Sequence, residues 1–333
     1  MFYLNPMQFV LRVLVDAVVT GGLGLQGSKL SRKLAKSGYH VLVIDNAQRG
    51  RTKNLGATKG IAVLKRDVRL PLNPKQFEGA EVIFHLAAHL GGIDYITRND
   101  QQVMLDNLRA DANVIAASLD ARVKKFVFAS TACVYPVSKQ QKWDAVLRED
   151  DAFNPIEPES GYGWAKLTAE LQLGKITEME VGILRLFNVY GEGEDYAPGS
   201  HAIPELMRKV LFSRKVEVYG DGLQGRCFTH VDDAVEAYLA VYRKGCVNRP
   251  INIGSPSPIR IADLVALLQE LAGKQKPVKF NTSKPTGMIG RVPDITLAEK
   301  ILGWHPKVSL EDGLKRTMGW MRDAGPPAVG QLE

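Results

Sequence analysis

Tyr162 and Lys166, in the string Ser160-Gly161-Tyr162-Gly163-Trp164-Ala165-Lys166, are the pair whose types and spacing best suit chemistry. Four residues apart on a helix, a phenol and an ammonium share one face, so the cation favours ionisation of a Tyr whose ordinary pKa is roughly 10. A Tyr base working near neutrality needs about 4 kcal/mol of preferential stabilisation of its phenolate, more than an exposed lysine alone supplies. The same spacing occurs on ordinary surface helices. What the pair does depends on what the fold brings to it.

The elements that would position it are readable. Short apolar runs alternate with longer helical stretches: AVVT at 17–20, HVLVI at 40–44, IAVL at 61–64, EVIFHL at 81–86, KFVFAS at 125–130 and VGILRL at 181–186. That rhythm predicts a Rossmann-like, doubly wound parallel α/β sheet. Segments 28–37 and 99–119 have the length of crossover helices. Beyond Gly191 the texture changes to Gly- and Pro-bearing loops with isolated helices at 261–271 and 310–321. The expected division is a nucleotide-binding domain at 1–190, rejoined by a segment near 226–255, and a smaller mixed α/β substrate lobe over 191–333.

Composition narrows the function classes. The 333 residues, 45% hydrophobic, can bury a full core, and the net charge of +7 is spread among 36 acidic residues with no dense basic block. Nucleic-acid binding is not expected, and the mild positive excess suits an anionic cofactor and substrate. Cys133, Cys227 and Cys246 have no metal-binding spacing and imply no disulfide framework, so no metal and a reducing, cytoplasmic setting are expected. The first sixteen residues lack the basic start and cleavage site of a signal peptide, and no run of about 18 apolar residues predicts a membrane span.

The first strand runs into Thr20-Gly21-Gly22-Leu23-Gly24-Leu25-Gln26-Gly27. Glycines at 21, 24 and 27 permit a tight turn, close approach of backbone to a pyrophosphate, and close helix-to-strand packing, with the phosphates at the N-terminus of the helix expected from Ser28 and Leu25 and Gln26 among the expected cofactor contacts. Asp45 closes the second strand where a carboxylate can accept bonds from adenosine ribose hydroxyls, with Asn46 beside it. It would repel a 2′-phosphate, which favours NAD over NADP, although Arg49 and Arg51 lie nearby. The alternative for Asp45 is a turn cap over Asn46.

With these motifs the chain resembles the extended short-chain dehydrogenase/reductase family, in particular its NAD-dependent sugar-nucleotide epimerases and dehydratases. The likeness includes Arg66-Asp67-Val68, His85-Leu86-Ala87-Ala88, Asn107, Asn188-Val189-Tyr190-Gly191, Arg226 to Asp233, Asn252-Ile253-Gly254-Ser255 and Leu302-Gly303-Trp304. It implies that Asp67, Val68, Leu86, Ala87, Ala88, Asn107, Tyr162 and Lys166 contact the cofactor. Thr131 becomes the hydroxyl partner of Tyr162, at the carboxyl end of a strand, where open α/β sheets place ligands. Gly91, Gly92, Asn188, Arg226 and Arg291 become substrate contacts, the guanidiniums suiting phosphate. A homodimer formed by helices 99–119 and 163–174 is also implied.

Related dehydratases carry an acidic residue soon after the active-site Thr, where this chain has Ala132 and Cys133. The departure counts against dehydration and decarboxylation. Cys133 together with His201, in Gly199-Ser200-His201-Ala202-Ile203-Pro204, instead resembles the acid/base equipment of the GDP-fucose synthases; the GDP-mannose 3,5-epimerases are similar in the Cys but carry Lys where His201 aligns, a departure here, and they share Leu90-Gly91-Gly92 and Gly220-Asp221-Gly222-Leu223-Gln224. Oxidising a sugar hydroxyl to a C4 ketone acidifies the hydrogens at C3 and C5, and a thiol and an imidazole both titrate near enough to neutrality to exchange them. The expectation is an epimerase acting on a sugar nucleotide, a GDP-sugar favoured, at C3 and/or C5 with no net redox change. A simple 4-epimerase with Cys133 only packing, a reducing enzyme of the fucose-synthase kind, and a non-catalytic NAD-binding scaffold are the alternatives. A buried thiol or a helix-capping His would be the plain explanation of Cys133 and His201.

Overall fold

The computed structural model describes residues 15–327. The lead read above as neither signal peptide nor membrane span lies outside these residues except for Val15 and Asp16. Among the described residues no helix is long and apolar enough to cross a membrane.

Seven parallel strands form the central sheet: β1 (Ala17–Thr20), β2 (Val41–Asp45), β3 (Ile61–Lys65), β4 (Val82–His85), β5 (Lys125–Thr131), β6 (Glu180–Leu186) and β7 (Pro250–Ile253). Their spatial order is β7-β6-β5-β4-β1-β2-β3. The first six match the apolar runs within a residue or so. β7 was legible only as a motif, because nothing local says that Pro250–Ile253 pairs with β6 across more than sixty intervening residues.

Strands buried on both faces need helices on both. Val19 and Phe84 point to one face, where they pack with Leu30 and Leu34 of α1 (Leu25–Lys36) and with Val235 and Leu239 of α5 (Val231–Lys244). Val18 and Ile83 point to the other, where Val114 and Ile115 of α2 (Asp100–Asp120) and Leu173 of α3 (Gly161–Leu173) cover them. Each such buried aliphatic side chain contributes about 1.5–3 kcal/mol relative to exposure. The chain order reverses between β4 and β2 around β1, which opens a crevice at the carboxyl ends of the strands. Thr20, Asp45, His85 and Thr131 stand at those ends.

A second core closes the crevice from above. Ile203, Met207 and Val210 of α4 (Ala202–Phe212), Leu264 and Leu268 of α6 (Ile261–Ala272), and Leu314 and Met318 of α7 (Leu310–Ala324) pack together. Segment Val216–Tyr219 pairs in parallel with Val278–Asn281 beside them.

Candidate active site

Helix α1 begins at Leu25, three residues before the expected Ser28, because Gly24 itself is the N-cap. The first-turn amides of Leu25, Gln26 and Gly27 are therefore those whose N–H groups have no partner within the helix, an arrangement suited to an anion. Two finger glycines have different reasons to be glycine. A Cβ on Gly27 would come within 2.2 Å of the Gly21 carbonyl oxygen, so packing of α1 on the sheet excludes one. A Cβ on Gly24 would meet only the Gly21 oxygen, at 3.4 Å, so the fold leaves that space free, and Gly24 lines the main cavity. The cradle fits a diphosphate.

At the adenosine end, Asp45 accepts from Leu23 N (3.0 Å) and from Ala47 N (2.8 Å). It thus does cap a turn over Asn46 while closing β2. Burial pushes its carboxyl up despite those two amides. Asn46 donates to Asp67, whose carboxyl is held down at about 2 chiefly by the paired Arg69. The Val68 carbonyl accepts from Asn113 of α2 at 3.1 Å, which fixes the segment after β3.

A cavity of about 850 Å³ runs from the finger to the second lobe, lined by Gly21, Gly24, Leu25, Gln26, Gly27, Leu86, Ala88, Gly91, Gly92, Thr131, Cys133, Tyr162, Asn188, His201, Arg226 and Arg291. Most of the residues singled out from sequence therefore share one wall. Asn107 does not belong to it: its amide clamps His89, accepting from His89 N and donating to His89 O, and so shapes the loop after β4 from behind. Ala87 is likewise held by its backbone, its N–H donating to Thr20 Oγ1.

Tyr162 is buried, and the Thr131 hydroxyl favours its ionised form. Lys166 lies beneath the cavity, 1% exposed, and gives its charge to Asp111 Oδ1 at 3.2 Å with its ammonium 4.4 Å from the centre of the Phe128 ring. The expected lowering of the phenol pKa is not what the protein alone produces. Burial first, then the neighbouring Cys133 and Asp111, push the Tyr162 hydroxyl well above 10. Asp111 continues inward: His85 Nε2 donates to its Oδ1 at 3.0 Å, His85 Nδ1 accepts from Thr20 Oγ1 at 2.6 Å, and Asp111 Oδ2 is buried without a partner among the described residues. Burial holds His85 neutral.

Cys133 faces the cavity just beyond β5, its backbone N–H donating to Thr131 Oγ1 (3.2 Å). Burial raises its thiol pKa, Arg291 opposes that rise, and Glu159 adds to it. His201 occupies the N-cap position of α4 but makes no side-chain cap. Instead its Nδ1 donates to Glu194 Oε1 at 2.8 Å, which leaves Nε2 as the nitrogen that can give or take a proton. The ring is 39% exposed and Glu194 is 8% exposed, with Glu194 Oε2 buried and unpartnered.

The residues expected to contact substrate have partners of their own. The Asn188 amide donates to Cys227 O at 2.8 Å, in a backbone with φ +39. Arg291 spans Gln140 (2.8 Å), Cys133 Sγ (3.4 Å) and Glu159 with its three nitrogens. Arg226 donates to the carbonyls of Gly225 and Thr286, and burial beside Arg291 lowers it to about 10. Glu159 pairs with Arg291, while Arg226 donates to carbonyls and adds a second positive charge beside that pair, a local arrangement that suits an anion.

Three carboxylates at the site were missed from sequence. Asp111 had a readable signal, since Val103, Asn107, Ala110, Asp111 and Val114 form the buried stripe of α2. Glu159, three residues before Tyr162, and Glu194, in the loop before α4, had none beyond proximity.

The sequence profile of the NAD dependent epimerase/dehydratase family matches residues 17–254. GDP-mannose 3,5-epimerase 1 of Oryza sativa subsp. japonica is 32% identical over 312 residues, covering 92% of this chain and 81% of that protein. The UDP-N-acetyl-alpha-D-glucosaminuronate decarboxylase of Bacillus cytotoxicus is also 32% identical, over 92% of this chain and 97% of its own. Among solved structures, UDP-glucuronic acid 4-epimerase from Bacillus cereus in complex with UDP-glucuronic acid and NAD superposes with a TM-score of 0.83 at 27% identity, covering 93% of this chain and all of the other.

Proposed function

Because the chain belongs to the NAD dependent epimerase/dehydratase family, we propose that it is an isomerase that inverts C3 and/or C5 of a sugar nucleotide through a transient 4-keto sugar, with no net redox change. The carrying observation is that Cys133 and His201 line the same cavity as Thr131 and Tyr162, and that the His201 ring is held by Glu194 rather than spent on a helix cap.

NAD would rest its diphosphate on Gly21, Gly24, Leu25, Gln26 and Gly27, its adenosine against Asp45, Asn46, Asp67 and Val68, and its nicotinamide end near Leu86, Ala87, Ala88, Tyr162 and Lys166, with Asn107 supporting that wall. When bound it supplies reversible hydride acceptance. The preference over NADP rests on Asp45 and on Arg49, which is turned to the Leu90 carbonyl. Tyr162, beside Thr131, takes the proton of the sugar's C4 hydroxyl and later returns it. The high phenol pKa means that this proton leaves only when nearby positive charge helps, which keeps the base quiet without ligand. Cys133 on one side and His201 on the other exchange protons at the carbon next to the ketone. Arg226 and Arg291 bring positive charge to the substrate's diphosphate, with Asn188, Gly91 and Gly92 around the sugar. A GDP-sugar is favoured by the Leu90-Gly91-Gly92 and Gly220-Asp221-Gly222-Leu223-Gln224 strings that resemble the GDP-mannose 3,5-epimerases. Exposed Leu105, Trp164 and Leu171 on α2 and α3 support homodimerisation through those helices.

The test is turnover in deuterated water with a panel of GDP-, UDP-, TDP-, CDP- and ADP-sugars. Deuterium at C3 or C5 of recovered sugar is expected, and Tyr162→Phe abolishes it together with product formation. Burial of the Cys133 thiol favours a second reading, a 4-epimerase in which Cys133 only packs. A C4-inverted product with no deuterium selects it.

A further inference from the structure

Glu159 has no assigned role, yet it stands where protons would move. Its backbone N–H donates to the Cys133 carbonyl at 3.2 Å, and its carboxylate pairs with Arg291. Arg291 also donates to Cys133 Sγ at 3.4 Å, so one guanidinium spans both the sulfur and the carboxylate. The three side chains line the cavity, and Gly287, with φ +69, brings its backbone close to Glu159 and Arg226. Bonded to neighbouring nitrogens of one planar guanidinium, the sulfur and the carboxylate are held beside each other.

The geometry points to Glu159 as the proton partner of Cys133, so that the group exchanging protons with the substrate carbon is a thiol–carboxylate pair bridged by Arg291. The inference rests on the reading of Cys133 as an acid/base group. In the forward step the Sγ–H bond breaks and an O–H bond forms on Glu159, the negative charge moving from carboxylate to sulfur under the same guanidinium. The thiolate then takes the proton from the carbon beside the ketone, and the C–H electron pair passes into the enolate. The proton gained on this face is matched by one that His201 delivers on the other, so no co-reactant is required. Burial opposes ionisation of the thiol, while Arg291 holds the Glu159 carboxyl below the usual range despite burial of that group too. The bridging cation offsets both penalties at once.

Two measurements on Glu159→Gln in the full chain test this. Iodoacetamide alkylation of Cys133, with Cys227 and Cys246 replaced by Ala in all proteins compared, reports thiol ionisation against pH. Solvent-deuterium entry at C3 or C5 reports proton exchange. The amide removes a negative charge from the thiol, so the alkylation midpoint shifts to lower pH, while deuterium entry slows at least tenfold because the proton has nowhere to go. Deuterium entry unchanged or faster at that lowered midpoint overturns the inference, as does an unmoved midpoint. Glu159→Asp, which retains a carboxylate, recovers part of the exchange; if the Gln variant does not fold, exchange at the full wild-type rate in the Asp variant overturns it. Failure of the parent reading looks different: the wild type shows no deuterium entry while the alkylation shift in the Gln variant persists.

Discussion

Gly24→Ala and Gly27→Ala look alike in sequence, but the structure separates them. Gly24 has φ −73 and ψ 179, which alanine adopts without strain, and its new methyl group would meet only the Gly21 oxygen at 3.4 Å. Loss of chain entropy in the unfolded state stabilises the substitution by about 0.4–1 kcal/mol, and alanine at an N-cap costs about as much, so stability stays within about 0.5 kcal/mol. The same methyl group projects into the cradle at the start of α1 and displaces a diphosphate from at least one charge-assisted amide bond, worth about 2 kcal/mol. That corresponds to roughly a 30-fold weaker NAD affinity. Gly27→Ala reverses the pattern. Its methyl group would lie 2.2 Å from the Gly21 oxygen and 2.7 Å from Gly22 Cα, so α1 must lift off β1, an overpacking cost of about 1–3 kcal/mol. Calorimetric titration of cofactor-stripped protein with NAD, and urea unfolding in its absence, measure the two effects. Wild-type NAD affinity in Gly24→Ala, or equal destabilisation by both substitutions, would refute the argument that Gly24 is glycine for a ligand and Gly27 for the fold.

Glu194→Ala frees the His201 ring and lowers kcat by about 10- to 100-fold through loss of one charge-assisted hydrogen bond, with KM nearly unchanged; a change confined to KM in steady-state assays contradicts the orienting role. Asp111→Ala leaves the buried Lys166 ammonium without its counter-ion and costs about 3–5 kcal/mol in urea unfolding, whereas a loss under 1 kcal/mol means the pair is not formed. Cys227 is buried with its thiol raised from 9.0 to about 12, chiefly by burial. Above pH 9 the unfolded chain releases this proton and the folded chain keeps it, so stability falls as pH rises, by about 2 kcal/mol between pH 9 and 11. Cys227→Val should remove that part of the slope, measured by urea unfolding across the range; an unaltered slope disproves it.

The strand rhythm, the finger and the Tyr162–Lys166 spacing were legible because each is local. A run such as AVVT is buried on both faces wherever it sits in a parallel sheet, and i to i+4 neighbours share a helix face in any context. Even there the start of α1 was misplaced, because a glycine N-cap with no side-chain hydrogen bond leaves no capping signature to read.

What the residues are for depended on partners far along the chain. Lys166 was read as the cation for Tyr162, but the fold delivers Asp111, fifty-five residues earlier, to its ammonium. His201 could have been a cap until Glu194 took its ring, and the fold brings Arg291, with Glu159 paired to it, to Cys133 from two further segments. The sequence by itself determined the layered α/β architecture, the cofactor cradle and the residue types available for proton transfer, since these follow from backbone sterics and periodicity. Only the tertiary structure decided which charge faces which proton, because hydrogen bonds and Coulomb interactions depend on separations of a few ångströms between side chains that the sequence keeps tens of residues apart.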